Sequence, residues 1–255
     1  MGSVVWITGA SSGIGRALAL EMAKRGHDLV VTAPTEAELH AVRTEIEALG
    51  RRCVVAPADV RDAAAMLAIP GECERQLGRP VDLAVANAGV LRYGTPSELT
   101  LADDTLAIEV NLMGTIHLVR AVLPAMLARR SGHVVAISSL AGILPMPLRP
   151  AYSASKAAVA TYFRSLALDL TGTGVSTSVV FPGYVQSAMT TELASMPLAW
   201  TSERAAAYIA DRLQRHRSSI AFPWPLVWGL TLLSLLPVAL QNPILRRQRL
   251  LFRGR

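Results

Sequence analysis

The sequence predicts an α/β chain: a doubly wound parallel sheet with helices on both faces and a helical C-terminal appendage. Three observations carry that expectation. Short apolar runs recur along the first 190 residues. Stretches with helical apolar spacing alternate with them. A glycine-rich turn joins the first run to the first such stretch. Strands that read as continuous apolar runs are buried on both faces, which parallel sheets require.

In order, Val4–Thr8 is the first strand, and 15–25 follows with Leu18 and Met22 at helical spacing. Residues 29–32 form the second strand. Residues 36–49 are amphipathic and stop at Gly50. The third to sixth strands fall at 53–56, 81–86, 134–137 and 175–181, with long helices at 105–128 and 154–170. No linker or repeat interrupts the alternation.

Composition narrows the function. Of 255 residues, 51% are apolar and 17% charged, which excludes intrinsic disorder. Cys53 and Cys73 make neither a disulfide framework nor a metal site and suit a reducing compartment. No Lys or Arg precedes the first apolar run, so no signal peptide is expected there. Residues 1–211 carry 17 Lys and Arg against 19 Asp and Glu, whereas residues 212–255 carry eight Arg and no acid. The net charge of +6 therefore belongs to the tail. A nucleic-acid groove needs basic residues across the body of the fold, so nucleic acid is not an expected partner.

The first strand runs into Thr8-Gly9-Ala10-Ser11-Ser12-Gly13-Ile14-Gly15, and a helix follows. Glycines there let the backbone turn tightly and approach a pyrophosphate, while the helix N-terminus offers free N–H groups to it. Further on come Asn87-Ala88-Gly89 after the fourth strand, Asn111 in a helix and Ser139 after the fifth strand. Tyr152-Ser153-Ala154-Ser155-Lys156 follows, with Pro182-Gly183 after the sixth strand. Ser139 stands thirteen residues before Tyr152. These motifs, in this order and spacing, resemble the short-chain dehydrogenase/reductase family over about residues 3–222, a Rossmann-like fold.

Residue chemistry agrees with that resemblance. Tyr152 and Lys156 are four apart and share one helix face. A phenol titrates near ~10, too high for a base near neutrality, and a close ammonium would favour the phenolate. Ser139 ends a strand at the carboxyl edge, where open α/β sheets bind ligands.

The resemblance implies specific roles. Tyr152 would be the general acid in carbonyl reduction and the base in alcohol oxidation. Lys156 would tune Tyr152 and hold the nicotinamide ribose, Ser139 would polarise the carbonyl, and Asn111 would sit in a proton relay. Gly9, Ser11, Ser12, Gly13, Ile14 and Gly15 would cradle the phosphates. Asp59 and Val60 would contact adenine, with a turn or cap residue as the second reading of Asp59. Asn87, Ala88 and Gly89 would line the adenosine ribose. Pro182, Gly183, Val185 and Ser187 would surround the nicotinamide.

This sequence departs from the family pattern in three places. Ala86 replaces the first Asn of Asn-Asn-Ala-Gly, and Ser187 stands where Thr is frequent. After the second strand, Thr32-Ala33-Pro34-Thr35 lacks the acid that selects NAD. With Ser11, Ser12 and Thr35 as donors and Arg16 near the loop, NADP is expected over NAD.

The segments 140–149 and 184–189 border the family's substrate pocket. Both are apolar here, so a small hydrophobic carbonyl or alcohol is the expected substrate, although ordinary core packing would read alike. Residues 1–222 form the expected catalytic unit, with 190–215 as substrate lid, 190–201 its mobile part, and Thr201 capping a helix at 202–215. The long helices predict a homodimer or homotetramer, as in the family.

The appendage, 223–255, is expected to be a lid or subunit interface. An anionic membrane surface is the second expectation, and a true span the third. Residues 218–245 carry no charge, but Pro223 and Pro225 should delay helix to 226, and Pro237 should kink it. The 15 residues 226–240 would span about 22 Å, short of a ~30 Å hydrocarbon core. Trp224 and Trp228 with Arg246, Arg247, Arg249, Arg253 and Arg255 suit the membrane surface. The expected location is cytoplasmic, with peripheral placement on the inner face of a membrane as the alternative. A rival function is a non-catalytic NADP-binding regulator, which would have no need of a Ser/Tyr/Lys set.

Overall fold

The computed structural model describes residues 2–191 and 196–251. Its strands are β1 (Val4–Thr8), β2 (Asp28–Thr32), β3 (Cys53–Val55), β4 (Leu83–Ala86), β5 (Gly132–Ile137), β6 (Val175–Pro182) and β7 (Ser219–Phe222). Every pairing is parallel, in the order β3-β2-β1-β4-β5-β6-β7. The chain begins at the centre, works out to one edge, then returns beside β1 and works out to the other. That reversal leaves a crevice beyond the carboxyl ends of β1 and β4. The Rossmann-like class predicted from the sequence is the class observed.

The helices are α1 (Gly13–Lys24), α2 (Glu36–Ala48), α3 (Ala63–Leu77), α4 (Leu101–Ile108), α5 (Gly114–Ala128), α6 (Pro150–Asp169), α7 (Ser202–Gln214), α8 (Trp224–Ser234) and α9 (Val238–Leu251). Side chains alternate along each strand between two cores. Trp6, Val30 and Ala84 face α3, α5 and α6, while Ile7, Val31 and Val85 face α1, α2 and α7. Neither Cys53 nor Cys73 is bridged. Burial pushes the Cys53 thiol up to about 12 and the Cys73 thiol up to about 11, so both are inert packing groups at neutral pH.

Two elements differ from expectation. The helix expected at 105–128 begins at Leu101, after a reciprocal Thr100–Asp103 cap, and a π-helical turn at Glu109–Met113 divides it into α4 and α5. Residues 101–128 are long and apolar enough to cross a membrane, yet the inner side of α5 packs on the sheet. In the appendage, α8 begins at Trp224 rather than 226, because proline is tolerated in a first helical turn, where its missing N–H has no partner to lose. The chain then leaves helix after Ser234 and re-enters it after Pro237, so α8 has 11 residues, about 16 Å of helix. Finally, α7 is capped by Thr201 as expected, and Ala205, Ala206, Ile209 and Ala210 are fully buried on the α1 side of the sheet. Its inner face is thus part of the core beside α1. Of the lid expected over 190–215, Glu192, Leu193, Ala194 and Ser195 lie outside the described residues, as do Arg253 and Arg255 of the appendage.

His133 on β5 makes the core sensitive to acid. It is 7% exposed, its Nε2 lies 2.8 Å from Ser178 Oγ, and that hydroxyl donates to the Arg217 carbonyl at 2.7 Å. Burial, aided by the stacked His216 ring 5.6 Å away, pulls its pKa down to about 4. The unfolded chain takes up this proton near ~6.5, so stability is lost as pH falls from there towards 4. Urea titrations at pH 7 and 4.5 are expected to show a loss of roughly 2–3 kcal/mol that His133→Gln largely removes. An equal loss in both proteins would clear His133.

Candidate active site

The glycine turn leaves β1 at Thr8 and enters α1 at Gly13. Gly9 and Gly13 sit at φ +63° and +54°, which residues with a Cβ avoid. Asn87, at the end of β4, braces this turn: its Nδ2 donates to the carbonyls of Thr8 at 2.9 Å and Gly9 at 3.1 Å. Thr8 Oγ1 accepts from the backbone N–H of Asn87 at 3.1 Å, closing the clamp between β1 and β4.

A cleft of about 440 Å³ opens at this edge. Gly9, Ser11, Ser12, Gly13, Ile14, Asp59, Val60, Asn87, Ala88 and Gly89 line one half of it. Ser139, Tyr152, Lys156, Pro182, Gly183, Val185 and Ser187 line the rest. Three sequence candidates do not. Gly15 lies behind the turn, where a Cβ would collide with the Gly9 carbonyl and the Asn87 amide. Thr35 is exposed ahead of α2 and leaves this part of the wall to Ala33 and Pro34. Asn111 is fully buried at the π turn. Its side chain accepts from Val90 N at 2.7 Å and donates to Val90 O and to Ser155 Oγ, each at 3.0 Å. Its carbonyl accepts the Thr115 hydroxyl at 2.7 Å.

Asp59 lies at the cleft and in a turn, where it accepts the Arg61 N–H at 2.9 Å and pairs with the Arg61 guanidinium at 2.6 Å. That bond holds its carboxyl below the usual range. Ser187 stands close enough to the glycine turn for a Cβ on Gly13 to lie 3.2 Å from its own Cβ. Of the apolar segment 140–149, Leu140, Ala141 and Leu144 are buried core; Met189 of the second segment lines the cleft with Leu106 and Val110.

The polar set lies on β5 and α6. Lys156 Nζ donates to the Ile137 carbonyl at 2.8 Å and stands 5.8 Å from the Tyr152 ring centroid. Ser138 Oγ donates to the Lys156 carbonyl at 2.8 Å and ties strand to helix. Burial pulls the Lys156 ammonium down to about 8. The same cause dominates at Tyr152 and corrects the expectation of a lowered phenol: burial raises it, while the hydrogen bond with Ser139 and the Arg149 charge pull it partly back. Arg149 had no motif to mark it. It is buried at the start of α6, with its guanidinium 5.5 Å from the Tyr93 ring centroid.

The sheet order, its switch-point cleft and the glycine turn place the chain among the Rossmann-like α/β proteins. Comparison with known proteins goes further. Residues 3–198 match the short chain dehydrogenase family. The chain is 37% identical over 246 residues to an uncharacterized oxidoreductase of Myxococcus xanthus, covering 95% of this chain and 96% of that one. It is 35% identical over 188 residues to the 2,3-dihydro-2,3-dihydroxybenzoate dehydrogenase of Bacillus subtilis, covering 74% and 72%. A crystal structure of a short chain dehydrogenase/reductase from Burkholderia phymatum in complex with NAD superposes with a TM-score of 0.83 at 27% identity, covering 90% and 92%. This chain belongs to the short chain dehydrogenase family and is an oxidoreductase of that family.

The cleft fits the family's nicotinamide dinucleotide. Its floor is bare where phosphates would lie, and a Cβ added at Gly89 would come within 3.1 Å of Asn111 Oδ1 and 3.4 Å of Lys156 Nζ.

Proposed function

We propose that the chain exchanges hydride between NADP and a small hydrophobic carbonyl or alcohol, with Tyr152 as general acid and base. The convergence of Ser139, Tyr152 and Lys156 on the glycine-floored cleft carries this reading. Bound there, the nicotinamide supplies or takes up the hydride. The glycine turn and the α1 N-terminus hold the phosphates, Asp59 and Val60 border adenine, and Asn87, Ala88 and Gly89 border the ribose. Pro182, Gly183, Val185 and Ser187 enclose the nicotinamide end. Ser139 orients the substrate oxygen and Tyr152 exchanges its proton. Lys156 adds a positive charge beside them, and Asn111 acts by fixing Val90 and Ser155 around that lysine. Met189, Leu106 and Val110 favour an apolar substrate. The outward faces of α5 and α6, with Leu127 and Leu168 exposed, would join copies in a homodimer or homotetramer.

The reading is tested with a panel of hydrophobic ketones and aldehydes against NADPH and NADH at the nicotinamide absorbance band. Tight NADPH binding without turnover of any member would favour a regulator.

Two expected results refine it. Arg16, one turn into α1 beyond the glycine turn, is held by Glu45 at 2.5 Å in a part-exposed pair. Such pairs are weak, so a phosphate can compete for the guanidinium. Glu45→Gln is expected to tighten NADPH binding several-fold and leave NADH unchanged in fluorescence titrations; equal changes would detach Arg16 from cofactor choice. For Arg149, loss of its charge should raise the phenol further. Oxidation needs the phenolate, so Arg149→Met is expected to move the rising limb of the alcohol-oxidation pH profile to higher pH. An unmoved limb would make Arg149 purely structural.

A further inference from the structure

We infer that the outward face of the C-terminal helices docks on an anionic lipid surface. One side of α8 is anchored: Leu226, Val227, Leu230 and Leu233 pack on the core. Its other side meets nothing among the described residues. Trp224 and Trp228 are 71% and 62% exposed, and with Leu232 they stand four residues apart on one helix stripe. Leu235, 76% exposed, continues the stripe to the break, and Val238 and Leu240 extend it onto α9. An exposed apolar patch of this continuity marks an interaction site rather than ordinary surface.

Charge selects the occupant. The stripe lies within 28 uncharged residues and ends at the exposed Arg246 and Arg247, and no acid follows Asp211. Indole rings settle at the headgroup level of a bilayer, and basic side chains beside them are drawn to anionic headgroups. A second copy fits less well: none of residues 212–255 is Asp or Glu, so the same segment of a partner offers these arginines no side-chain carboxylate. The 11-residue α8 is too short to span, so the surface would lie in the interface plane.

Docking there would reach the catalytic cleft. A Cβ on Gly183 would lie 2.9 Å from Pro223 Cδ and 3.0 Å from Leu226 Cδ2, so the anchored side of α8 abuts the Pro182–Gly183 wall. The inference itself stands on the exposed stripe and its charge, independent of the reaction proposed above.

The test is flotation of the full chain with vesicles of phosphatidylcholine alone or mixed with phosphatidylglycerol. The chain is expected to float with the mixed vesicles roughly tenfold or more in preference to the neutral ones, and to be released by high salt. Trp224→Ser with Trp228→Ser, and separately Arg246→Gln with Arg247→Gln, should each abolish flotation while thermal unfolding and NADPH binding stay unchanged. A wild-type chain left at the bottom of the gradient with anionic vesicles overturns the inference. So does flotation indifferent to both pairs of substitutions. A wild type that does not float, and whose oligomer falls apart on the tryptophan substitutions, assigns the face to a second copy instead.

Discussion

Tyr152→Phe is expected to lower kcat by roughly 10²–10⁴-fold while NADPH affinity stays within a few-fold. The substitution keeps the ring that packs beside Lys156 and removes only the hydroxyl that bonds Ser139. In the proposed reading dinucleotide binding would rest on the glycine turn and the ends of β4 and β6, away from this hydroxyl. The measurement pairs single-turnover kinetics at the nicotinamide absorbance band with a fluorescence titration of NADPH. Retention of most of the activity would remove Tyr152 as the proton donor. A parallel collapse of cofactor affinity would mean that the hydroxyl holds the cleft open, which is a different role.

Gly15→Ala carries the second large effect, on binding. A methyl group there meets the carbonyl of Gly9 and the amide of Asn87, which already bond each other across β1 and β4. Neither is the loose end of a flexible side chain, so the turn itself must shift, at an overpacking cost of about 1–3 kcal/mol. Expressed as cofactor affinity, that is roughly 5- to 150-fold weaker NADPH binding. Gly71→Ala is the control: it lies in α3 with nothing within 4 Å of the added carbon, and replacing a mid-helix glycine there should leave stability equal or better. Equal loss of binding in both variants would detach Gly15 from the cradle.

The site was legible where its chemistry is local. The turn from Gly9 to Gly15 and the pair Tyr152 and Lys156 are set by short spacings, and strand periodicity placed Ser139 at the correct edge. What escaped depends on contacts distant in sequence. Glu45 claims Arg16 from 29 residues away, across two helices. Arg149 becomes influential only because α6 starts at Pro150 and buries it beside Tyr93. Leu106 and Val110 read as ordinary apolar helix residues, and only packing turns them to the cleft. The rise in the Tyr152 pKa escaped for the same reason. Burial is a property of the assembled crevice, and it outweighs the opposing pull of Ser139 and Arg149. In the appendage, Pro225 reads as a helix breaker because the sequence does not show that it falls in the first turn of α8.

The π turn at Glu109–Met113 has a mechanical corollary. A π turn acts as one surplus residue in an otherwise regular spiral, and each residue advances the spiral by about 100°. Beyond it, Leu118, Val119, Val122 and Met126 pack into the core against the sheet, whereas Leu106 before it and Val110 within it line the cleft. The surplus residue is thus a phase adjuster that lets one rod serve two differently oriented walls. Shortening it by a single position would swing one set of side chains about a quarter-turn away from its seat, so length at this spot is as tightly constrained as any side chain in the crevice.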